Sequence, residues 1–577
     1  MGGWFLIAID FGTAYSGYAF CVSSGNSEPR PRVPKWGQEH GFNSPKTPTC
    51  ILFDEHEEFK MFGFDAKMAY TKMHGADAQK HYLFENSKME LYSKTINKNL
   101  MIKAHNGKSM SALKIIAETL RYLKDHALKT IGDHTSGRQF IASDVTWVLT
   151  VPAIWDAAAK QFMREAATAA GLVTDLNSDS LILALEPEAA SVWCKKLPSD
   201  GFIAEEINED TLEKTPGTKY MVVDCGGRTI DITVHEVLKG GTLKELHKAS
   251  GNDMGGGTVD KNLKMFLREI FSDELWDDYE KCYAPELQKM MYGFSLLKGT
   301  DDDIDISCPY NLGELAKKYH SEMSDFFKTS QGASWEEGSI KITKERMRSF
   351  FDDSFKGITE SIRQILKSKS KDNPEGLSID FILLVGGYAS CNTLRSHIKQ
   401  QFSGQCKVLF PTDPQEVIIK GAVLFGKNPK VVSSRVSALT YGITVYQRFD
   451  ESKHKPEKKF TTNEGTEYCC DVFHKLVEKG ESVGCDEVRE HIFNPVSSDQ
   501  MEISFSFFST ERLNAKYVDE WGMDQIGSFT VQSPDTTKGL DRSIRLEIKF
   551  GFTEMQATAT DIESKQTQSI KLDFLRN

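Results

Sequence analysis

Apolar residues along this chain follow two periods. Short β-branched runs closed by polar turns predict strands, and longer stretches with apolar residues every third or fourth position predict helices. Phe5-Leu-Ile-Ala-Ile-Asp10 and Met221-Val-Val-Asp224 read as strands that end in a carboxylate, and Asp380-Phe-Ile-Leu-Leu-Val385 as a strand that runs into Gly386-Gly387. Further strands read at 49–54, 220–224, 229–237 and 242–249, with Gly240-Gly241 as a hairpin turn. Helical spacing reads at 108–130, 156–171, 259–272, 284–298, 343–368 and 392–402. The five prolines of 25–49 predict an extended loop, and the polar segment 197–218 an exposed insertion. Beyond residue 437 the helical period gives way to alternation at 437–447, 500–509, 528–533, 543–552, 556–560 and 569–574. Short strands with polar turns point to an all-β sandwich there.

The two carboxylate-ended strands share a sequel. Asp10-Phe-Gly12-Thr13-Ala14-Tyr15 and Asp224-Cys-Gly226-Gly227-Arg228-Thr229-Ile-Asp231 both enter glycine-threonine turns. Glycine lets the backbone bend tightly and present N–H groups outward, which suits phosphate. An aspartate at the turn suits Mg²⁺, which prefers oxygen ligands and keeps several waters. One such turn is also what an ordinary hairpin gives. Two, about two hundred residues apart, can clamp a polyphosphate between them. A diglycine between strand and helix, as at Gly386-Gly387, lets a flat ligand lie against the backbone.

In this order the three elements resemble the nucleotide clamp shared by actin, the sugar kinases and the seventy-kilodalton heat-shock chaperones. Further segments resemble the chaperones: Trp147-Val-Leu-Thr-Val-Pro152-Ala-Ile-Trp155, Leu185-Glu186-Pro187, Gly63-Phe-Asp-Ala-Lys67 and Gly255-Gly256-Gly257. Ile419-Lys-Gly421-Ala-Val-Leu-Phe-Gly426 resembles a divergent branch, the heat shock 70 kDa protein 12A/12B type. The resemblance implies an α/β fold: a two-lobed actin-like ATPase with duplicated ribonuclease H-like lobes, followed by the all-β domain. Its divisions would be lobe I at 1–190, lobe II at 191–427, a linker at 428–436 and a β-rich substrate-binding-like domain without helical lid at 437–577.

The resemblance also implies roles. ATP or ADP would bind with Mg²⁺, the metal held by Asp10 and Asp224. Lys67, Glu186, Asp231 and Thr229 would carry catalysis. Gly12, Thr13, Ala14, Tyr15, Gly226, Gly227, Arg228, Gly255, Gly256, Lys298, Gly386, Gly387 and Tyr388 would contact the nucleotide. Pro152 and Lys160 match positions that relay nucleotide state in the chaperones. Three departures stand out. Arg228 replaces a glycine and either strains the turn or brings a guanidinium to the phosphates. Tyr388 replaces a small hydroxyl residue. The connector after Asn428 lacks the acidic-leucine pattern that couples the two domains.

Composition narrows the rest. The chain of 577 residues is too long for one core. With 40% hydrophobic and 26% charged residues it reads as soluble and globular. A net charge of −12 argues against binding nucleic acid or anionic membranes, and no apolar run is long enough to span a bilayer. The N-terminus leads straight into a strand, which predicts no signal peptide, and Leu6 spoils a myristoylation pattern at Met1-Gly2. Eleven scattered cysteines without metal spacing predict reduced thiols and a cytoplasmic protein. Three functions follow: a weak ATPase with chaperone-like partner binding, a nucleotide-binding scaffold with little turnover, or a small-molecule kinase of the same clamp class. Clients and partners are unknown from sequence. Ile503–Phe508 either lines a groove for an extended peptide or belongs to a closed sandwich.

Overall fold

The computed structural model describes residues 4–23, 30–93, 96–97, 99–135, 137–176, 178–203, 215–319, 322–368, 376–485, 487–550 and 555–571. The expected loop at 25–29, the expected insertion at 204–214 and the end of the last expected strand at 572–574 lie outside the described residues. The fold is mixed α/β. The chain divides into two compact units, one of 1–155, 162–234 and 249–428, the other of 156–161, 235–248 and 429–577.

The first unit is built on two sheets of like order. One runs Leu181–Leu185, Val145–Val151, Trp4–Asp10, Tyr15–Ser23, Thr47–Pro48. Trp4–Asp10 pairs antiparallel with Tyr15–Ser23 and parallel with Val145–Val151. The other runs Lys407–Leu409, Phe381–Val385, Lys219–Cys225, then Ile230–Val237, of which 230–234 belong to this unit. Lys219–Cys225 and Lys407–Leu409 both pair parallel with Phe381–Val385. The central strands are apolar throughout because both faces are covered: Ile7, Ile9, Leu149, Val222, Val223 and Leu383 are fully buried.

Helices cover these faces through apolar stripes. Ala112–His134 buries Ile115, Ile116, Leu120, Leu123, Ala127 and Ile131, at helical spacing. It begins later than the 108 that periodicity gives, because Ser109–Ser111 is a strand paired with Met101–Lys103. The helix expected at 343–368 is two, Lys344–Ser349 and Asp352–Lys367. Phe350 and Phe351 between them are both buried. Adjacent helical positions point about 100° apart, so burying both favours a break. Val417–Lys427 packs on Glu186–Cys194. At their crossing a Cβ on Gly421 would stand 1.8 Å from the Ala189 carbonyl oxygen, and one on Gly426 2.4 Å from Val148. The two glycines therefore set how closely this helix approaches its neighbours.

The second unit carries two antiparallel sheets. The first runs Lys459–Thr461, Glu467–Val477, Thr440–Arg448, Glu502–Thr510, Met523–Gln532, and the second Val488–Phe493, Ile544–Phe550, Met555–Asp561, Thr567–Lys571. Ile443, Phe505, Phe507 and Val531 of the first form one apolar cluster with Ile544, Leu546, Ile548 and Ala559 of the second. Within the expected linker, Val432–Val436 is a strand, parallel to 243–244 and antiparallel to Ser482–Gly484. Glu502–Thr510 is paired along its length with Met523–Gln532 and over Phe507–Thr510 with Thr440–Ile443, and Ile503, Phe505 and Phe507 turn their side chains into the cluster. The buried Arg542 is satisfied by the carbonyls of Ser533, Gly539 and Ser498, which makes its burial tolerable.

Candidate functional site

Both glycine turns lie where a strand of the first unit ends. In the first, a Cβ on Gly12 would stand 2.1 Å from the Tyr15 carbonyl oxygen, which requires glycine. Thr49 pins this turn: its Oγ1 donates to the Gly12 carbonyl at 2.7 Å and its N–H to the Ala14 carbonyl at 2.8 Å. Thr13 is buried and Tyr15 exposed.

In the second, Gly226 gives its N–H to the Thr229 carbonyl. The N–H groups of Gly227, Arg228 and Thr229 meet no backbone acceptor among the described residues. The triple glycine is bonded onto this turn, Gly255, Gly256 and Gly257 donating to the carbonyls of Arg228, Gly226 and Gly227. Gly255 and Gly256 therefore spend their N–H groups on shaping the turn. Gly227 abuts the first turn, since a Cβ there would stand 2.5 Å from Ala14 Cβ. The two turns thus meet, and the second brings N–H groups without backbone acceptors to the contact, an arrangement that attracts polyanions.

Four carboxylates gather beside the turns. Asp10, Glu186, Asp224 and Asp231 are all buried. Asp10 Oδ2 accepts from Lys46 Nζ at 2.5 Å and Oδ1 from Thr150 Oγ1 at 2.9 Å. Glu186, at the start of its helix before Pro187, takes Lys88 Nζ at 2.5 Å. Asp231 Oδ2 accepts the Ala153 N–H, while Asp231 Oδ1 and Asp224 Oδ1 have no hydrogen-bond partner among the described residues.

Burial pushes the Asp10 carboxyl up, but Lys46 and then Lys88 outweigh it and hold Asp10 below the usual range. Burial raises Glu186, against the pull of Lys88. Burial, then Glu186, Asp231 and Asp10, push Asp224 well up. Burial and Glu186 bring Asp231 to about 7 in spite of the Ala153 and Ile154 N–H groups. Four carboxylates stand against two lysines, the crowding itself raises Asp224, Glu186 and Asp231, and among the described residues two of the buried oxygens have no hydrogen-bond partner. That set fits one hard divalent cation such as Mg²⁺.

The remaining expected residues fall around this centre. Gly386 has φ +89°, and a Cβ on it would stand 2.3 Å from Asp224 Oδ1, so the diglycine touches the second aspartate directly. Gly387 faces open space. Tyr388 is buried, its ring within 3.2 Å of where a Cβ on Gly256 would be and stacked on Phe351. Lys298 binds both oxygens of Asp260 at 2.8 Å and the Gly256 carbonyl at 3.2 Å.

Arg228 is not among the residues of positive φ, so the turn is not strained by it. Its Nε reaches Asn86 Oδ1 at 3.3 Å. Lys67 bonds Glu85, which is not one of the four carboxylates, at 3.2 Å and lies over the Tyr292 ring at 5.1 Å. Burial lowers the Lys67 ammonium, but Glu85, then Cys50 and Tyr15, keep it above its ordinary value.

Lys46 and Lys88 escaped the sequence reading. Lys46 lies in a proline-rich loop with no periodicity. Lys88 follows Asn86, whose φ of 58° is the turn that carries it inward. An asparagine, a residue that tolerates the left-handed region, after the apolar run Tyr82-Leu-Phe was the available signal.

Residues 47–571 match the family of the Hsp70 protein. The chain is 33% identical to heat shock 70 kDa protein 12A of Mus musculus, and 33% identical to that of Homo sapiens, in each case over 99% of this chain and 91% of the other. It is 32% identical to heat shock 70 kDa protein 12B of Homo sapiens, with the same coverage. The carboxylate-ended strands, the abutting glycine turns and a match over nearly the whole length agree: this chain belongs to the Hsp70 protein family.

Proposed function

We propose that the chain binds Mg-ATP at the paired glycine turns and hydrolyses it slowly, with its β-rich second unit engaging a protein partner. The observation that carries this is the buried set of Asp10, Glu186, Asp224 and Asp231, two of whose oxygens have no hydrogen-bond partner among the described residues, beside two abutting turns. Two sheets of like strand order support reading the first unit as duplicated lobes of an actin-like ATPase. Two antiparallel sheets around one core support reading the second as a sandwich-like partner domain.

In this reading the N–H groups of Gly227, Arg228 and Thr229, with Thr13, hold the phosphates. Asp10 and Asp224 would hold Mg²⁺, with Glu186 and Asp231 in its water shell. When bound, the ion neutralises phosphate charge. Asp231, fixed through Oδ2 by a backbone N–H, presents its free Oδ1 to orient a water and take its proton. Gly386-Gly387 and Tyr388 would face the nucleoside, with Gly256 and Lys298 behind the turn. One observation favours a second reading, a nucleotide-binding scaffold with little turnover: lysines already neutralise Asp10 and Glu186. Single-turnover hydrolysis by the full chain, with a binding titration and Asp10→Asn and Asp224→Asn beside it, separates these. Hydrolysis lost in both variants supports the ATPase. Tight binding without turnover supports the scaffold, and no binding at all refutes both.

A further inference from the structure

Two lysines compete for one role at this site. Lys67 stands in the segment that resembles a catalytic one, yet its ammonium is bonded to a carboxylate outside the acid cluster. Glu85 takes it through Oε1, while His105 Nε2 lies 3.3 Å from Oε2 of the same carboxylate. The Tyr292 ring covers it. Its strongest electrostatic neighbours are Glu85, Cys50 and Tyr15. Lys88 is placed differently. Its side chain is 5% exposed and its Nζ meets Glu186 Oε1 at 2.5 Å. The ring of Phe11, the residue between Asp10 and Gly12 in the first turn, lies 6.0 Å from the Lys88 ammonium, and the Trp155 ring 5.4 Å. Its charge acts on Asp10, Glu186 and Asp231 alike.

An ammonium has three donors. Among the described residues Glu186 takes one from Lys88 and Glu85 one from Lys67, so both keep donors, but only Lys88 keeps them beside the acid cluster and the first turn. Burying a charge at this depth is costly unless further partners repay it, and a single carboxylate is a thin return. Asn86, in the left-handed region, throws Lys88 inward from the end of the strand Tyr82–Glu85.

We propose that Lys88, rather than Lys67, supplies the positive charge beside the terminal phosphate of bound ATP. This rests on reading the site as a nucleotide clamp. In the step, the water oxygen forms its bond to the γ-phosphorus as the bond from that phosphorus to the β–γ bridging oxygen breaks. The electron pair of that bond leaves with ADP. The water's proton passes to Asp231 Oδ1 and then to solvent. Lys88 keeps its own protons throughout and offsets charge on the γ-phosphoryl oxygens, while Glu186 fixes its position.

The test compares Lys88→Met, Lys88→Arg and Lys67→Met with the wild type in the full chain. Equilibrium titrations with ATP and with ADP give the preference for the terminal phosphate, and single-turnover hydrolysis gives the rate. Lys88→Met should cut the ATP-over-ADP preference by about tenfold or more and slow hydrolysis by roughly 10²–10³-fold, the usual loss for one preorganised charge donor. Lys88→Arg should restore part of both, and Lys67→Met should have the smaller effect on each. ADP affinity retained by Lys88→Met shows that the variant is folded. A larger loss in Lys67→Met, or an unchanged preference in Lys88→Met, overturns the assignment even if the chain turns ATP over. A wild type that binds neither nucleotide refutes the clamp reading itself, which is a different result.

Discussion

Arg228 Nε donates to Asn86 Oδ1 at 3.3 Å, tying the second glycine turn to the bend that delivers Lys88. Its aliphatic part lies over Gly257, where a Cβ would stand 2.7 Å from Arg228 Cδ. Arg228 is therefore a tether between distant parts of the first unit. A part-buried hydrogen bond from a charged donor contributes about 1.5–3 kcal/mol. Arg228→Ala should release a bound fluorescent nucleotide analogue roughly tenfold faster in a stopped-flow chase. An unchanged off-rate would mean that the tether does not gate the site.

Gly386→Ala tests the contact between diglycine and aspartate. The added Cβ would meet Asp224 Oδ1 at 2.3 Å and the Cys225 carbonyl oxygen at 2.5 Å, from a backbone with φ +89°. Neither neighbour is the end of a flexible side chain. Strain of this kind costs on the order of 1–3 kcal/mol before any displacement of Asp224. Chemical denaturation should show at least that loss, and titration a fall in Mg-ATP affinity beyond tenfold. Gly387→Ala, facing open space, should lose much less on both counts.

Much of this was legible because it is local. A β-branched run ending in aspartate and glycine writes a strand and a turn into neighbouring residues, and Asp10, Asp224, Gly226 and Gly386 were found that way. Lys46 and Lys88 were not, because their meaning lies in partners far along the chain, Asp10 and Glu186. Lys67 was singled out by its segment, which carries no information about Glu85 competing for it. In the second unit, alternation found Glu502–Thr510 but not which strands flank it. A strand's pattern shows its apolar face and not whether both edges are paired.

Asp231 gives a pH dependence. Its carboxyl moves from 3.8 up to about 7, chiefly by burial and then by Glu186. A raised folded pKa means that the neutral form suits the folded chain. Its contribution to stability is complete below about pH 3.8 and lost as pH rises through 7. Asp231→Asn stays neutral throughout. Without Mg²⁺, the stability of the variant relative to wild type should therefore rise between pH 4 and pH 8. Three pK units set a ceiling of about 4 kcal/mol, and sharing among coupled carboxylates brings the expected gain to about 1–3 kcal/mol. Urea denaturation at the two pH values measures it. A difference that stays flat, or falls, would show that Asp231 is already ionised in the folded chain.

The pair of Lys46 and Asp10 separates stability from function. Asp10 is buried and its Lys46 partner has a side chain only 11% exposed. Removing one member of such a pair leaves an uncompensated charge inside, at a cost of about 3–5 kcal/mol. Lys46→Met should lose about that much, because among the described residues Thr150 Oγ1 remains as the one side-chain donor to Asp10. Adding Asp10→Asn to Lys46→Met should recover most of it, since the amide needs no counter-charge. Mg²⁺ should also rescue the single variant, because a divalent cation at Asp10 replaces the lost ammonium, and it should not rescue the double one. Thermal unfolding of the three chains with and without millimolar Mg²⁺ reads this out. If Mg²⁺ raised the midpoint of the double variant as much as that of Lys46→Met, Asp10 would not be where the cation binds.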